Sequence, residues 1–284
     1  MASGAACGRL LGGLFFCLPL AGCGYAFPSD SGGACGHTAT ETRADVLAFA
    51  KDVLLGYEPR TGKRLYNSTG RVKRWPTGAV VTWDVVEAPD EQADRLAAEV
   101  AVVFAEVAEV VGDAVRFEQR ADADIRIYFA AYGNWEVVTP FSPLTRSVAL
   151  TQPYNDGDLR LTQSDIVVDP SGPFSQVRGA VRHEVLHALG LAGHSDHLST
   201  CSFMVSDTSA CYLRADLPTD EMAPIDKCLA RFVYQSLHPG DTEADIELAF
   251  AESWDSACEL EFADSMKKGT SLIMDATVIS DVPF

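Results

Sequence analysis

The chain has 284 residues, of which 47% are hydrophobic and 22% charged, as is typical of a folded globular protein. With 40 acidic against 22 basic residues the formal net charge is −18, and such a surface would repel the phosphate backbone of nucleic acid. We therefore expect no nucleic-acid partner, and beyond the N-terminus no stretch is apolar enough to span a bilayer.

Residues 1–22 have the pattern of a signal peptide. A single charge, Arg9, precedes the apolar run 10–20, which is too short to cross a membrane. The run ends in Leu20-Ala21-Gly22-Cys23, which resembles the lipobox of bacterial lipoproteins. The resemblance implies a lipid anchor at Cys23, membrane attachment and a place in the bacterial cell envelope. Cleavage after Ala26, which would release an extracellular protein, is the alternative.

The cysteines beyond Cys23 predict disulfide bonds. Cys35 stands alone, and four more lie in the C-terminal third: Cys201, Cys211, Cys228 and Cys258. In an oxidising compartment those four would form two disulfides. Three pairings are open, and Cys201–Cys211 with Cys228–Cys258 closes the shortest loops.

The remaining elements alternate between strands and helices. A tether at 23–40 leads to an N-terminal helix and loop at 41–78, with the helix at 41–56. Hydrophobic spacing then predicts a strand at 79–86, a helix at 89–111, strands at 115–120, 124–130, 147–151 and 159–168, and a helix at 176–189. This order predicts one α/β sheet covered by helices.

Four of the six histidines fall within fifteen residues, at positions 183, 187, 194 and 197. His183 and His187 are four apart in a predicted helix, so both rings leave one face and can reach one Zn²⁺. Glu184 lies about 100° further round the helix, where it would reach a water rather than the metal. Gly190 would end the helix in the left-handed conformation, and the chain could then return with a third ligand.

The stretch from His183 to His194 resembles the zinc signature of the metzincin metalloproteases, HExxHxxGxxH. The third histidine of that signature would fall at position 193, which is Gly193 here, and His194 follows one residue later. The resemblance implies His183, His187 and His194 as the metal ligands. His197 and Asp196 are the alternatives to His194.

The metzincins also place a methionine beneath the metal, in a Met-turn. Met204 lies ten residues after His194 and is the expected Met-turn residue, although residues 271–275, with Met274, are similar. The resemblance covers about residues 79–235, and it implies a C-terminal helix at 226–234. It implies an α/β (α+β) catalytic domain with a twisted mixed sheet and long helices. The upper subdomain would span 79–193 and a smaller C-terminal one 194–284.

The resemblance further implies a zinc-dependent endopeptidase that hydrolyses peptide bonds of extracellular or envelope proteins. Zinc-bound water would be the nucleophile and Glu184 the general base. The peptide substrate would lie along an edge strand, at 147–151. The alternative is a non-catalytic zinc- or ligand-binding envelope lipoprotein, which the presence of Glu184 disfavours. Separately, Asp156, Asp158 and Asp165 are candidate ligands for a structural Ca²⁺.

Overall fold

The structure is a computed structural model. It describes residues 42–59, 62–64, 68–131, 134–135, 149–197, 202–205 and 220–258. The predicted signal peptide, the lipidation site Cys23 and the tether lie outside these ranges, as do Cys35, Cys201, Cys211 and Met274. Of the helices in the described ranges, none has the length and apolar character that a membrane crossing requires.

The first described element is the helix α1 (Arg43–Leu55), which lies within the helix predicted at 41–56. Thr42 and Asp45 form a capping box at its start, and Gly56 ends it in the left-handed conformation with a φ of 71°. One face of α1 joins the main hydrophobic core through five buried side chains: Phe49, Ala50, Val53, Leu54 and Leu55.

A short hairpin follows α1. The strands β1 (Tyr57–Glu58) and β2 (Lys63–Arg64) pair antiparallel within a region predicted as loop. Strands of two residues have no alternating pattern of their own, which is why hydrophobic spacing did not predict them.

A five-stranded sheet forms the centre of the molecule. Its members are β3 (Ala79–Glu87), β4 (Val115–Gln119), β5 (Ile125–Phe129), β6 (Ala149–Asn155) and β7 (Leu161–Val168). They are arranged in the order β4-β3-β5-β7-β6. Four strands run parallel, and the edge strand β6 runs antiparallel to β7. The predicted α/β fold with one mixed sheet is therefore confirmed.

Helices cover this sheet. They are α2 (Ala93–Val111), α3 (Phe174–Ala188), α4 (Pro224–Ser236) and α5 at 243–258. The apolar stripe of α2 is buried, and α2 contacts both α3 and α4.

A buried ion pair joins α2 to α3. Arg182 of α3 is fully buried, and its Nη1 atom lies 2.5 Å from Glu99 Oε1 of α2. Helix α3 packs on β6 and β7, which places its histidines beside the free edge of the sheet.

Of the pairings that the sequence leaves open, the Cys228–Cys258 disulfide is not formed. Cys228 on α4 and Cys258 on α5 are both buried free thiols. They face each other inside the apolar core, and a hydrogen bond to Cys228, together with burial, raises the pKa of Cys258. The two thiols therefore pack as small apolar side chains.

Candidate metal centre

The end of α3 is fixed by two side chains from distant parts of the chain. Trp75 Nε1 donates to the carbonyl of Ala188 at 2.9 Å, and the Tyr234 hydroxyl donates to the carbonyl of Leu189 at 2.9 Å. Both carbonyls belong to the last turn, where helical partners run out. Gly190 follows with a φ of 101°, and a Cβ there would lie 1.9 Å from the carbonyl oxygen of Lys73. Glycine is therefore required where the chain leaves the helix.

Three imidazole rings converge just before and after this turn. His183 Nε2 lies 3.1 Å from His187 Nε2 and 3.3 Å from His194 Nε2. All three ligand atoms lie within 4.8 Å of one another. Tetrahedral zinc with nitrogen at about 2.0–2.1 Å holds its ligand atoms about 3.4 Å apart. The spacing therefore fits a single small metal ion, and His183, His187 and His194 can hold it.

Each ring is oriented by an acceptor at its other nitrogen. His183 Nδ1 donates to the carbonyl of Phe203, and His187 Nδ1 donates to the carbonyl of Leu191, both at 2.5 Å. His194 Nδ1 lies 3.0 Å from Glu58 Oε2. Because a carbonyl oxygen only accepts, the proton of His183 and of His187 is on Nδ1. The Nε2 lone pairs then point into the cluster, as metal ligation requires.

Burial also keeps the first two rings neutral. The pKa of His183 is well below its usual value, chiefly because burial disfavours the imidazolium and secondarily because of the neighbouring histidines. The same causes lower the pKa of His187 to about 3. Neutral imidazole is the form that binds metal, so these rings need lose no proton at neutral pH.

The third ring comes from position 194 because position 193 has no room for a side chain. A Cβ at Gly193 would lie 2.5 Å from the carbonyl oxygen of Asp52 and 2.6 Å from Tyr57 N. Of the alternatives, Asp196 is exposed, and the half-exposed His197 ring lies 3.4 Å from Asp52 Oδ2. Neither belongs to the group that could hold a metal.

Glu184 supplies a buried carboxylate beside the cluster. Its Oε1 atom is 3.9 Å from His183 Nε2, and Thr151 Oγ1 donates to its Oε2 atom at 2.7 Å. Burial raises the pKa of Glu184 to about 8, although the Thr151 hydrogen bond opposes the shift. Thr151 lies on the edge strand β6, so the sheet orients this carboxylate directly.

The cluster opens into a cavity of about 250 Å³. It is lined by four residues of the edge strand β6, Ala149, Leu150, Thr151 and Pro153, and by the three histidines and Glu184. Lys73 also lines the cavity although only 6% of it is exposed. Four of the seven residues of the edge strand therefore line the cavity.

Met204 is completely buried in the segment after the third histidine. Its carbonyl accepts a hydrogen bond from Ser195 N at 3.0 Å, one residue past His194. The buried Asp226 of α4 accepts from Ser202 Oγ at 2.6 Å and from Phe203 N at 2.7 Å. Because the carbonyl of Phe203 in turn accepts from His183 Nδ1, Asp226 helps to hold the His183 ring in place through Phe203. The assignment of Met204 as a Met-turn residue stays a prediction.

The predicted calcium site does not form. Asp156 Oδ1 accepts from two backbone amides in the β6–β7 turn, and Asp158 pairs with Arg160. Asp165 lies in β7, fully buried, with Oδ1 2.7 Å from Arg126 Nε. These carboxylates already have partners, and the three histidines are the one potential metal-binding group in the described ranges.

Three residues of the site were not predicted from the sequence: Glu58, Thr151 as a partner of Glu184, and Asp226 as a support. Each acts through an element remote in sequence from the histidines. The edge strand around Thr151 was predicted, but nothing in its pattern indicates a contact with Glu184.

Comparisons with known proteins add little to this geometry. No family model matches the chain, and no curated protein matches it. A solved structure of myroilysin is similar at 16% identity with a TM-score of 0.27, over 53% of this chain. The match spans 58% of the myroilysin chain. The site is therefore interpreted below from its own residues.

Proposed function

We propose that this chain is a zinc-dependent endopeptidase. The observation that carries the proposal is one arrangement: three imidazole Nε2 atoms converge in an open cleft, with the buried carboxylate of Glu184 beside them. Three protein ligands leave a fourth position free, as in catalytic rather than structural zinc sites. Imidazole nitrogen is a suitable ligand for zinc, as it is for copper, iron and nickel.

Bound zinc would act as a Lewis acid that polarises a peptide carbonyl and lowers the pKa of a water. Glu184 would accept a proton from the attacking water and deliver it to the departing amine. Thr151 would keep the Glu184 carboxylate turned towards the reacting atoms, since its hydroxyl donates to Oε2. The edge strand β6 would pair with the substrate backbone and hold the scissile bond in the cleft.

The role of Glu184 as a base depends on its charge state. A carboxyl group with a pKa of about 8 would be mostly protonated at neutral pH and could not act as a base. A divalent cation in the histidine cluster would favour the carboxylate form and lower this pKa. The base would therefore become competent when the metal is present.

The substrate and the location belong to the same proposal. A predicted signal peptide would export the chain, and lipidation at Cys23 would attach it to the bacterial envelope. Its substrates would then be envelope or extracellular proteins. The acidic surface would suit solubility outside the cell, and it favours cationic or metal partners over nucleic acid.

Metal content and proteolysis of purified variants test the proposal. Wild type should bind one zinc per chain and cleave an unfolded protein such as casein. Glu184→Ala should keep the zinc and lose about 10²–10⁴-fold in cleavage rate, because the base is gone. His187→Ala should lose the zinc, whereas His238→Ala, a change at an exposed histidine, should behave as wild type.

Two results would contradict the proposal. One is folded wild type that binds no zinc when no chelator has been present. The other is zinc-loaded Glu184→Ala that cleaves as fast as wild type. Zinc binding with no cleavage of any protein would instead support the non-catalytic alternative.

A further inference from the structure

The part of the chain before the predicted catalytic domain lies directly against the third histidine. This N-terminal segment, residues 42–59 and 62–64, comprises α1 and the β1–β2 hairpin. Its main chain accepts two hydrogen bonds from the loop after α3. Gly193 N donates to Val53 O at 2.7 Å, and His194 N donates to Tyr57 O at 2.9 Å. The backbone of His194 is thereby set by the N-terminal segment.

The segment also orients the His194 ring. Glu58 Oε2 on β1 lies 3.0 Å from His194 Nδ1, and the two side chains are only 11% and 7% exposed. A carboxylate that accepts from Nδ1 fixes the tautomer with its lone pair on Nε2. It also raises the basicity of the ring as a ligand. The Nε2 atom that results faces His183 Nε2 at 3.3 Å.

We propose that Glu58 is a positioning residue for His194 and that the N-terminal segment is an integral part of the metal centre. The proposal rests on the proposed function only in that the three histidines bind a metal. It assigns to Glu58 no contact with substrate. Glu58 acts through His194, by holding the ring in the orientation and tautomer that complete the site.

Glu58 differs in kind from the acceptors of the other two rings. His183 and His187 donate to the backbone carbonyls of Phe203 and Leu191, which are neutral. Glu58 contributes a side-chain carboxylate, and a charge-assisted hydrogen bond is stronger than a neutral one. Its negative charge also offsets part of the charge of a divalent cation. The third ligand is therefore the one whose support a single substitution can remove.

The N-terminal segment is not built as a removable covering. Phe49, Ala50 and Val53 of α1 have no exposed surface and belong to the same core as α2 and α3. Removing the segment would expose this core and take Val53, Tyr57 and Glu58 from the metal centre together. Proteolytic loss of residues 42–64 should therefore inactivate the protein rather than activate it.

The test compares zinc affinity, measured by competition with a chelator, in Glu58→Ala, Glu58→Gln and Asp52→Ala. Asp52 is the matched control because it also binds the loop that carries His194 but contacts none of the three ligand rings. Its Oδ2 atom accepts from Ser195 Oγ at 3.0 Å. Glu58→Ala should weaken zinc binding about 10- to 100-fold, the usual effect of losing such a partner. Glu58→Gln should restore part of the affinity, since its amide oxygen can still accept from Nδ1.

Two further measurements separate ligand orientation from general stability. The visible spectrum of the cobalt-substituted protein reports coordination geometry, and it should change in Glu58→Ala but not in Asp52→Ala. Urea unfolding of the metal-free proteins gives the free energy of unfolding of each variant. The differences in zinc affinity between the variants should not follow the differences in this free energy. If Glu58→Ala does not fold, Glu58→Gln alone still tests the proposal. Its zinc affinity should then lie below that of wild type, by less than the 10- to 100-fold loss expected for Glu58→Ala.

The outcomes are distinguishable. Wild type that binds zinc, with both Glu58 variants binding it as tightly as Asp52→Ala, would overturn the role of Glu58 and leave the proposed function standing. Folded wild type that binds no zinc would overturn both. A Glu58→Ala protein with weakened zinc binding, an altered cobalt spectrum and partial rescue by glutamine would establish the role.

Discussion

Replacement of Gly193 by alanine should disturb both the fold and the metal centre. The added Cβ would lie 2.5 Å from Asp52 O, 2.6 Å from Tyr57 N and 2.7 Å from Tyr57 O. All three atoms are main-chain atoms of the N-terminal segment, so no side chain can rotate out of the way. Restoring a normal contact of about 3.5 Å requires the two backbones to separate by about 1 Å.

That movement sets the size of the effect. It would stretch the Gly193–Val53 and His194–Tyr57 hydrogen bonds, now 2.7 and 2.9 Å long, beyond bonding distance. Each lost bond removes about 1 kcal/mol, and overpacking adds about 1–3 kcal/mol. We expect the free energy of unfolding to fall by about 3–5 kcal/mol, against a total of about 5–15 kcal/mol for a typical domain. The same shift would displace His194 by far more than the ~0.2 Å that metal ligation tolerates.

Urea unfolding of the metal-free protein and zinc titration provide the assay. Gly157→Ala is the control, because a Cβ at Gly157 in the β6–β7 turn has nothing within 4 Å. The control should lie within about 0.5 kcal/mol of wild type and bind zinc normally. If Gly193→Ala behaves like Gly157→Ala in both measurements, the steric explanation for the missing histidine at position 193 is wrong.

Three further predictions concern the ligand set, the base and the support beneath the site. His194→Ala should weaken zinc binding far more than His197→Ala, since His197 faces Asp52 and not the cluster. Thr151→Val removes the donor that lowers the pKa of Glu184, so the acidic limb of the pH–rate profile should move to higher pH while zinc affinity stays unchanged. Burial raises the pKa of Asp226 from 3.8 to about 7, so its contribution to stability is complete below pH 4 and is lost as the pH rises through 7. The free energy of unfolding should therefore fall less between pH 4 and pH 7 in Asp226→Asn than in wild type.

Each of these has a result that would count against it. Equal losses of zinc affinity in His194→Ala and His197→Ala would contradict the assignment of His194 as a ligand. An unshifted acidic limb in Thr151→Val would show that the hydroxyl does not act on Glu184. Parallel pH profiles of wild type and Asp226→Asn, measured by urea unfolding, would remove the buried carboxyl from the account of stability.

The sequence was sufficient for the features that depend on local spacing. The alternation of strands and helices predicted one α/β sheet covered by helices, because each strand and helix buries one periodic face. The four-residue spacing of His183 and His187 predicted their common face for the same reason. Gly190 was predicted as the helix end, and its φ of 101° agrees.

The remaining features depend on contacts between parts of the chain that are far apart in sequence. The reason why position 193 has no side chain is the approach of Tyr57 to Gly193, which no local pattern encodes. Glu58 lies 136 residues from His194 and belongs to a strand of only two residues. The disulfide between Cys228 and Cys258 failed as a prediction because loop length does not show whether two thiols will pack unbonded in a core.

The long sequence separation of Glu58 and His194 also bears on whether folding or metal binding comes first. A loop of 136 residues must close before the third ring acquires its acceptor, and such non-local contacts are slow to form. In the small zinc domains whose folding needs the metal, binding and folding are one event. Here the apolar core that includes α1 would form first and the metal would load afterwards. Zinc added during refolding should therefore leave the folding rate unchanged. A newly made chain would stay inactive until Glu58 has reached His194.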